Sequence, residues 1–179
     1  MYRPTLSSLL LIAGPLLAQS LQAQDYAEGA APIIIDGKVT DGTNKLPDSE
    51  VVVYKGNEVV STLPTGKSGR FKAELKVGEV YSIEFRHAGF VPKRIVFDTH
   101  MPKPKKDHDF EIEPIPMDIS LLEHARFEGA NTDDLDFPFA MVKFNKKTLA
   151  FEQDVEYTMG MQRTNGALLL MAARSGMNK

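Results

Sequence analysis

The chain contains no cysteine. That excludes disulfide staples, thiol nucleophiles and thiolate metal sites, so the fold rests on its core alone. Long apolar runs are also missing. Leu9 to Ala18 and Ala167 to Ala173 are the apolar stretches, and both fall short of the about 20 residues that a bilayer span needs. Positive charge is not in excess: 21 Lys and Arg stand against 24 Asp and Glu, a net −3. Nucleic-acid binding wants a basic stripe, so no nucleic-acid partner is expected.

The signatures of chemistry are equally scarce. His87, His100, His108 and His124 show no helical metal spacing and no H-E-x-x-H. His100 and His108 flank one basic loop, where imidazoles beside Met101 suit copper. The lysines between them repel a cation, so no metal is assigned. Gly66-Lys67-Ser68 has Ser61 where a phosphate loop needs its earlier glycine, and a strand pattern follows instead of a helix. It reads as a turn. Asp133, Asp134 and Asp136 form an acidic turn without the glycine and terminal glutamate of a calcium loop. No catalytic, cofactor or metal residues are therefore assigned, and the chain is expected not to be an enzyme.

What is present is alternation. Phe71, Ala73 and Leu75 point one way; Arg70, Lys72, Glu74 and Lys76 point the other. Successive strand side chains face opposite sides, so this is a half-buried strand. Tyr81, Ile83 and Phe85 repeat the pattern inward, with Ser82, Glu84 and Arg86 outward. Val77-Gly78 between them reads as a hairpin connection. Ile33, Ile35, Gly37 and Val39 share a face, and Val51 and Val53 follow a loop rich in Asp, Gly, Asn and Pro. Glu58–Thr62, Ile95 with Phe97, and Phe110 with Ile112 complete about seven strands with frequent turns. That spacing favours a mainly β sandwich over βαβ units.

Read in order, Ile35-Asp36-Gly37-Lys38-Val39-Thr40-Asp41, Leu46-Pro47-Asp48-Ser49-Glu50-Val51-Val52-Val53, Gly69-Arg70-Phe71, Leu75-Lys76-Val77-Gly78-Glu79-Val80-Tyr81 and Ala88-Gly89-Phe90 form a recognisable series. It resembles the carboxypeptidase regulatory-like domain, a seven-stranded transthyretin-like (prealbumin-like) β-sandwich, over residues 32–119. The resemblance implies a non-catalytic accessory module, common in bacterial envelope and secreted proteins, with no universal functional residues to carry over. Hydroxyisourate hydrolase shares the transthyretin-type fold. Its Tyr-Arg-Gly-Ser end and early strand histidine are not matched by Arg174-Ser175-Gly176-Met177-Asn178-Lys179 and the opening isoleucines.

Arg3, the short apolar core and the small residues beyond it read as a signal peptide over residues 1–24, with cleavage expected after Ala23 or, second, after Ala18. Residues 25–31 are a polar, flexible leader. The mature chain then has no membrane span and is expected to be exported, in the periplasm or associated with the outer membrane. Lys103, Lys105 and Lys106 lie in a Pro-rich loop and are the candidate interaction residues, a basic patch for anionic lipid or polymer. The plainer reading is a solvated loop that opposes aggregation.

Residues 120–179 read as an appendage. Phe110–Ile119, with Pro114 and Pro116, reads as an edge strand or an exit strand, and Glu113 to Met117 is expected to lead the chain off the sandwich. Phe139–Phe144 and Thr148–Glu152 form a hairpin closed by Asn145-Lys146-Lys147, with Leu149 and Phe151 facing Val142 and Phe144. Asp154 caps a helix that buries Val155 and Met159. The functional expectation is an envelope binding module for a protein or polymer. A carbohydrate-binding module using Tyr54 or Phe90, or a hydrolase with a dispersed site, is the alternative.

Overall fold

The computed structural model describes residues 31–102, 112–127, 138–164, 166 and 170. In chain order the strands are β1 (Ile33–Thr40), β2 (Glu50–Lys55), β3 (Glu58–Pro64), β4 (Arg70–Leu75), β5 (Val80–Arg86), β6 (Phe90–Val91), β7 (Lys93–Asp98), β8 (Ile115–Ser120), β9 (Leu122–Glu123), β10 (Ala140–Asn145) and β11 (Ala150–Gln153). A 3₁₀ turn spans His124–Phe127, and α1 (Val155–Thr164) follows the last strand. A three-stranded sheet in the order β4-β1-β8 faces a six-stranded sheet in the order β11-β10-β7-β5-β2-β3. The protein is a β-sandwich with a carboxyl-terminal hairpin and helix.

The alternating residues make the core. Ile33, Ile35 and Val39 of β1, with Phe71, Ala73 and Leu75 of β4, are buried against Val51, Val53, Tyr81, Ile83, Phe85, Ile95 and Phe97 of the opposite sheet. The Phe71 and Phe85 rings meet across the interface, 5.4 Å apart. Gly37 is required where it stands. A β-carbon there would lie 2.0 Å from the Met117 carbonyl oxygen and 3.0 Å from the Phe71 ring. The missing side chain lets β8 and the Phe71 ring close over β1.

Several expectations are corrected. Val77-Gly78 is not a hairpin connection: β4 pairs with β1, while β5 pairs with β2 and β7. The link crosses from one sheet to the other, so the two alternating strands meet face to face through their apolar sides. The last strand expected at Phe110 and Ile112 is not seen at Ile112. Residue 110 lies outside the described residues, Ile112 is not in a strand, and β8 runs parallel to β1 from Ile115. Of the two expectations for the proline segment, the edge strand holds and the exit does not: Pro116 lies in β8, at the edge of the three-stranded sheet. It is tolerated because β8 is an edge strand, where one ladder side needs no donor.

The hairpin also differs in detail. Its loop is Lys146 to Leu149, two residues longer than expected on the β11 side. Phe144 and Phe151 are directly paired, their rings 5.4 Å apart, and Leu149 is left in the turn. The hairpin is not detached from the body: β10 runs parallel to β7, with Ala140 opposite Ile95 and Val142 opposite Phe97. Asp154 does cap α1, its Oδ1 accepting the Tyr157 amide at 3.1 Å. The helix does not bury the expected residues. Val155 and Met159 are exposed and Thr158 is buried, because the side of α1 on β10 carries the polar residue.

Candidate binding face

The outer face of the six-stranded sheet holds the most organised polar cluster among the described residues. Two-residue periodicity puts Tyr54 of β2, Ser82, Glu84 and Arg86 of β5, and Arg94 of β7 on the side away from the core. Register brings them together: Glu84 lies opposite Arg94 on one side and Val52 on the other, and Tyr54 lies opposite Ser82.

Glu84 was expected in water and is instead buried, its side chain 6% exposed. Its Oε1 accepts Arg86 Nε at 2.5 Å and its Oε2 accepts Arg94 Nη2 at 2.8 Å. Arg86 and Arg94 flank the carboxylate, their own side chains 43% and 31% exposed. Burial pushes the Glu84 carboxyl up, but the hydrogen bonds and charges of Arg86 and Arg94 outweigh burial and hold it below the usual carboxylate range. The hydrogen bond to Glu84 in turn raises Arg86, which stays charged.

The clamp extends to an aromatic ring. Arg86 Nη2 donates to Tyr54 Oη at 2.6 Å, and the Arg94 guanidinium lies 5.8 Å from the centre of the Tyr54 ring. The hydroxyl and one ring face of the half-buried tyrosine are thereby held. Ser82 Oγ is enclosed beside it and has no hydrogen-bond partner among the described residues. Such an arrangement is a pre-ordered polar and aromatic surface. The carboxylate has both oxygens occupied and is held ionised, so it neither gives nor takes a proton near neutrality. The ordered Tyr and Arg side chains lose little freedom on contact, and these residue types dominate binding hot spots.

Other sequence candidates fall elsewhere. Lys103, Lys105 and Lys106 lie outside the described residues, as do His108, Asp133, Asp134 and Asp136. Phe90 is half-buried with its ring 5.3 Å from that of His87, and His87 Nδ1 is 3.1 Å from Ser49 Oγ. His100 Nδ1 is 2.6 Å from Asp98 Oδ1. The His124 amide donates to the Gly89 carbonyl. Gly66 to Gly69 is the turn before β4, closed by the Gly69 amide on the Gly66 carbonyl at 2.8 Å. Among the described residues no three His, Asp or Glu side chains are placed to share a metal ion. None of the described helices is long and apolar enough to cross a membrane.

Two concavities complete the surface. A polar one of about 230 Å³ is lined by Asp41, Thr43, Asn44, Leu121, Glu123 and Arg126. Its Asp41 carboxylate is already engaged by the amides of Thr43 and Asn44 and the Asn44 side chain, which hold it below its ordinary pKa. A more apolar cleft of about 370 Å³ runs between Ile112–Pro116 and the β10–β11 hairpin.

The sequence reading singled out Tyr54 and missed its partners. The available signal was charge spacing: Glu84 and Arg86 are two apart on one face, and Arg94 falls on the outer face of the next strand.

No family model and no curated protein matches the chain. Among solved structures it is similar to the Bacillus anthracis TIE protein, at 19% identity and a TM-score of 0.40 over 52% of this chain and 17% of that one. It is similar to a DUF3823 family protein from Parabacteroides merdae, at 15% identity and a TM-score of 0.33 over 64% of this chain and 50% of that one. A chlorocatechol 1,2-dioxygenase from Pseudomonas putida matches at 15% identity and a TM-score of 0.36, over 68% of this chain and 71% of that one. Likenesses this distant carry no argument about activity.

Proposed function

We propose that this chain is a non-catalytic binding module of the cell envelope. It meets a protein or polymer partner through the outer sheet face built on Tyr54, Arg86 and Arg94. One observation carries the reading: buried Glu84 is bound by two arginines, one of which also holds the Tyr54 hydroxyl while the other lies over its ring. A buried charge of this kind costs desolvation and is repaid by its partners only in good geometry. What it produces here is a rigid aromatic and cationic surface. The signal-like leader supports export, to the periplasm or the outer membrane. The order of motifs over residues 32–119 supports a carboxypeptidase regulatory-like sandwich, followed by the hairpin and helix unit of residues 120–179.

The test places a photo-crosslinking residue at Tyr54 in whole cells and, as a control, at Lys72 on the exposed side of the other sheet. The expected result is one discrete adduct from position 54 alone, lost in Arg86→Ala. Adducts of equal yield from both positions, or none from either, sink the proposal. Sugar recognition is the second reading, favoured by the half-buried Tyr54. Arg94 already covers one side of that ring, so a sugar has only the other. Retention on a glycan array that is abolished by Tyr54→Ala would replace the first reading with this one.

A further inference from the structure

The β10–β11 loop departs from what its fold needs. Lys146-Lys147-Thr148-Leu149 closes through the Leu149 amide, which donates to the Asn145 carbonyl at 2.8 Å, and the Lys147 amide donates to Asn145 Oδ1 at 2.9 Å. Leu149 has φ +57°. Glycine or asparagine takes that left-handed conformation readily, whereas a leucine β-carbon crowds the following carbonyl. Burial does not repay the strain, because Leu149 is 57% exposed. Glycine would make the same turn without that strain.

Its neighbours give the position a use. Leu149 borders the cleft whose walls are Ile112, Pro114, Ile115, Phe144 and Phe151, so apolar surface continues inward from the tip. Lys146 and Lys147 stand exposed on the same loop, and neither makes an ion pair among the described residues. Two nearby carboxylates are committed: Glu152 accepts from Asn145 Nδ2 at 2.7 Å, and Asp154 holds Lys143 at 2.6 Å; a third, Glu113, lines the cleft. The tip therefore presents one projecting alkyl side chain between exposed ammonium groups and a hollow whose walls are mostly apolar.

We propose that this tip docks on an anionic lipid surface. Leu149 enters the boundary between headgroups and acyl chains, and Lys146 and Lys147 lie against the phosphates. Lipid supplies both complements at once, acyl chains for the exposed leucine and negative charge for the lysines. The contact is separate from the Tyr54 face and stands without it.

The test uses the full chain and two kinds of vesicle, phosphatidylcholine alone and phosphatidylcholine with phosphatidylglycerol. Leu149→Trp places a tryptophan at the tip of a chain that has none, so its fluorescence reports the tip whatever the leader contributes. A blue shift is expected with the anionic vesicles and little or none with the neutral ones. The double change K146E/K147E abolishes the shift, and added salt weakens it. Leu149→Gly melts at the same or a higher temperature than wild type, yet binds anionic vesicles about tenfold more weakly. No blue shift, an equal shift on both vesicles, or a lower melting temperature for Leu149→Gly would overturn the proposal. So would tip-dependent binding to an acidic polypeptide with vesicles inert.

Discussion

In β4 the apolar residues Phe71, Ala73 and Leu75 are buried and the alternate residues stand in water; in α1 Val155 and Met159 are exposed and Thr158 is the buried one. The sandwich body follows the rule that apolar side chains leave solvent, and its stability comes from that transfer. The terminal unit is held differently. Asp154 caps α1, Lys143 binds Asp154, Asn145 binds Glu152, and Gln153 Nε2 donates to Thr158 Oγ1. Its hairpin still joins the core through Ala140, Val142 and Phe151, but directed polar bonds fix α1 and leave Val155 and Met159 outside. The difference teaches that one region is organised by its interior and the other by its outline.

The comparison is broken most severely from within the body. Phe85→Ala removes a fully buried ring and should cost about 3–5 kcal/mol, read as a large fall in the denaturant midpoint. Gly37→Ala should cost upward of about 3 kcal/mol, since the new methyl meets β8 backbone with no room to move. If either is mild, the body does not owe its stability to close packing.

A smaller effect is expected at the outer face. Glu84→Gln should cost about 2 kcal/mol, by weakening two charge-assisted hydrogen bonds. The pH dependence has a definite sign. Glu84 has a folded pKa below its unfolded value, so its contribution is fully present above the ordinary glutamate range. It disappears as pH falls through the folded value. Wild type should therefore lose more stability than Glu84→Gln on acidification across that window, and parallel curves would deny the clamp.

The terminal unit should yield the smallest responses. Asp154→Ala should reduce helical circular dichroism while leaving the main unfolding transition of the body in place. Val155→Ala and Met159→Ala should stay within about 0.5 kcal/mol, as exposed substitutions do. A larger loss in either would show that α1 buries its apolar side and that the contrast drawn above is false.

How much of this was legible follows from the same contrast. The inward faces of β1, β4 and β5 could be read because period-two alternation of strongly apolar and charged residues has one physical meaning. The Asp154 cap could be read because it is local. The pairing of strands could not, since Phe71 and Phe85 alternate alike whether they share a sheet or oppose one another. Glu84 was misread because its burial depends on Arg94 of another strand, which no local window contains. Val155 and Met159 were misread because helical spacing identifies a stripe and not what covers it. The Lys103, Lys105 and Lys106 loop lies outside the described residues, so the candidate interaction residues of the sequence and those of the structure do not coincide.

The parallel pairing of β8 with β1 has a consequence for the order of assembly. The strand nearest the start of the described chain waits for a neighbour some eighty positions later, Ile35 for Ile115 and Thr40 for Ser120. During synthesis β1 keeps an open flank until the chain has been made through Ser120. Long-separated pairings of this sort slow the final closure. A nascent chain cut short of Ile115 lacks the last rail of the three-stranded sheet, and its unsatisfied backbone is left for the next passing strand to find.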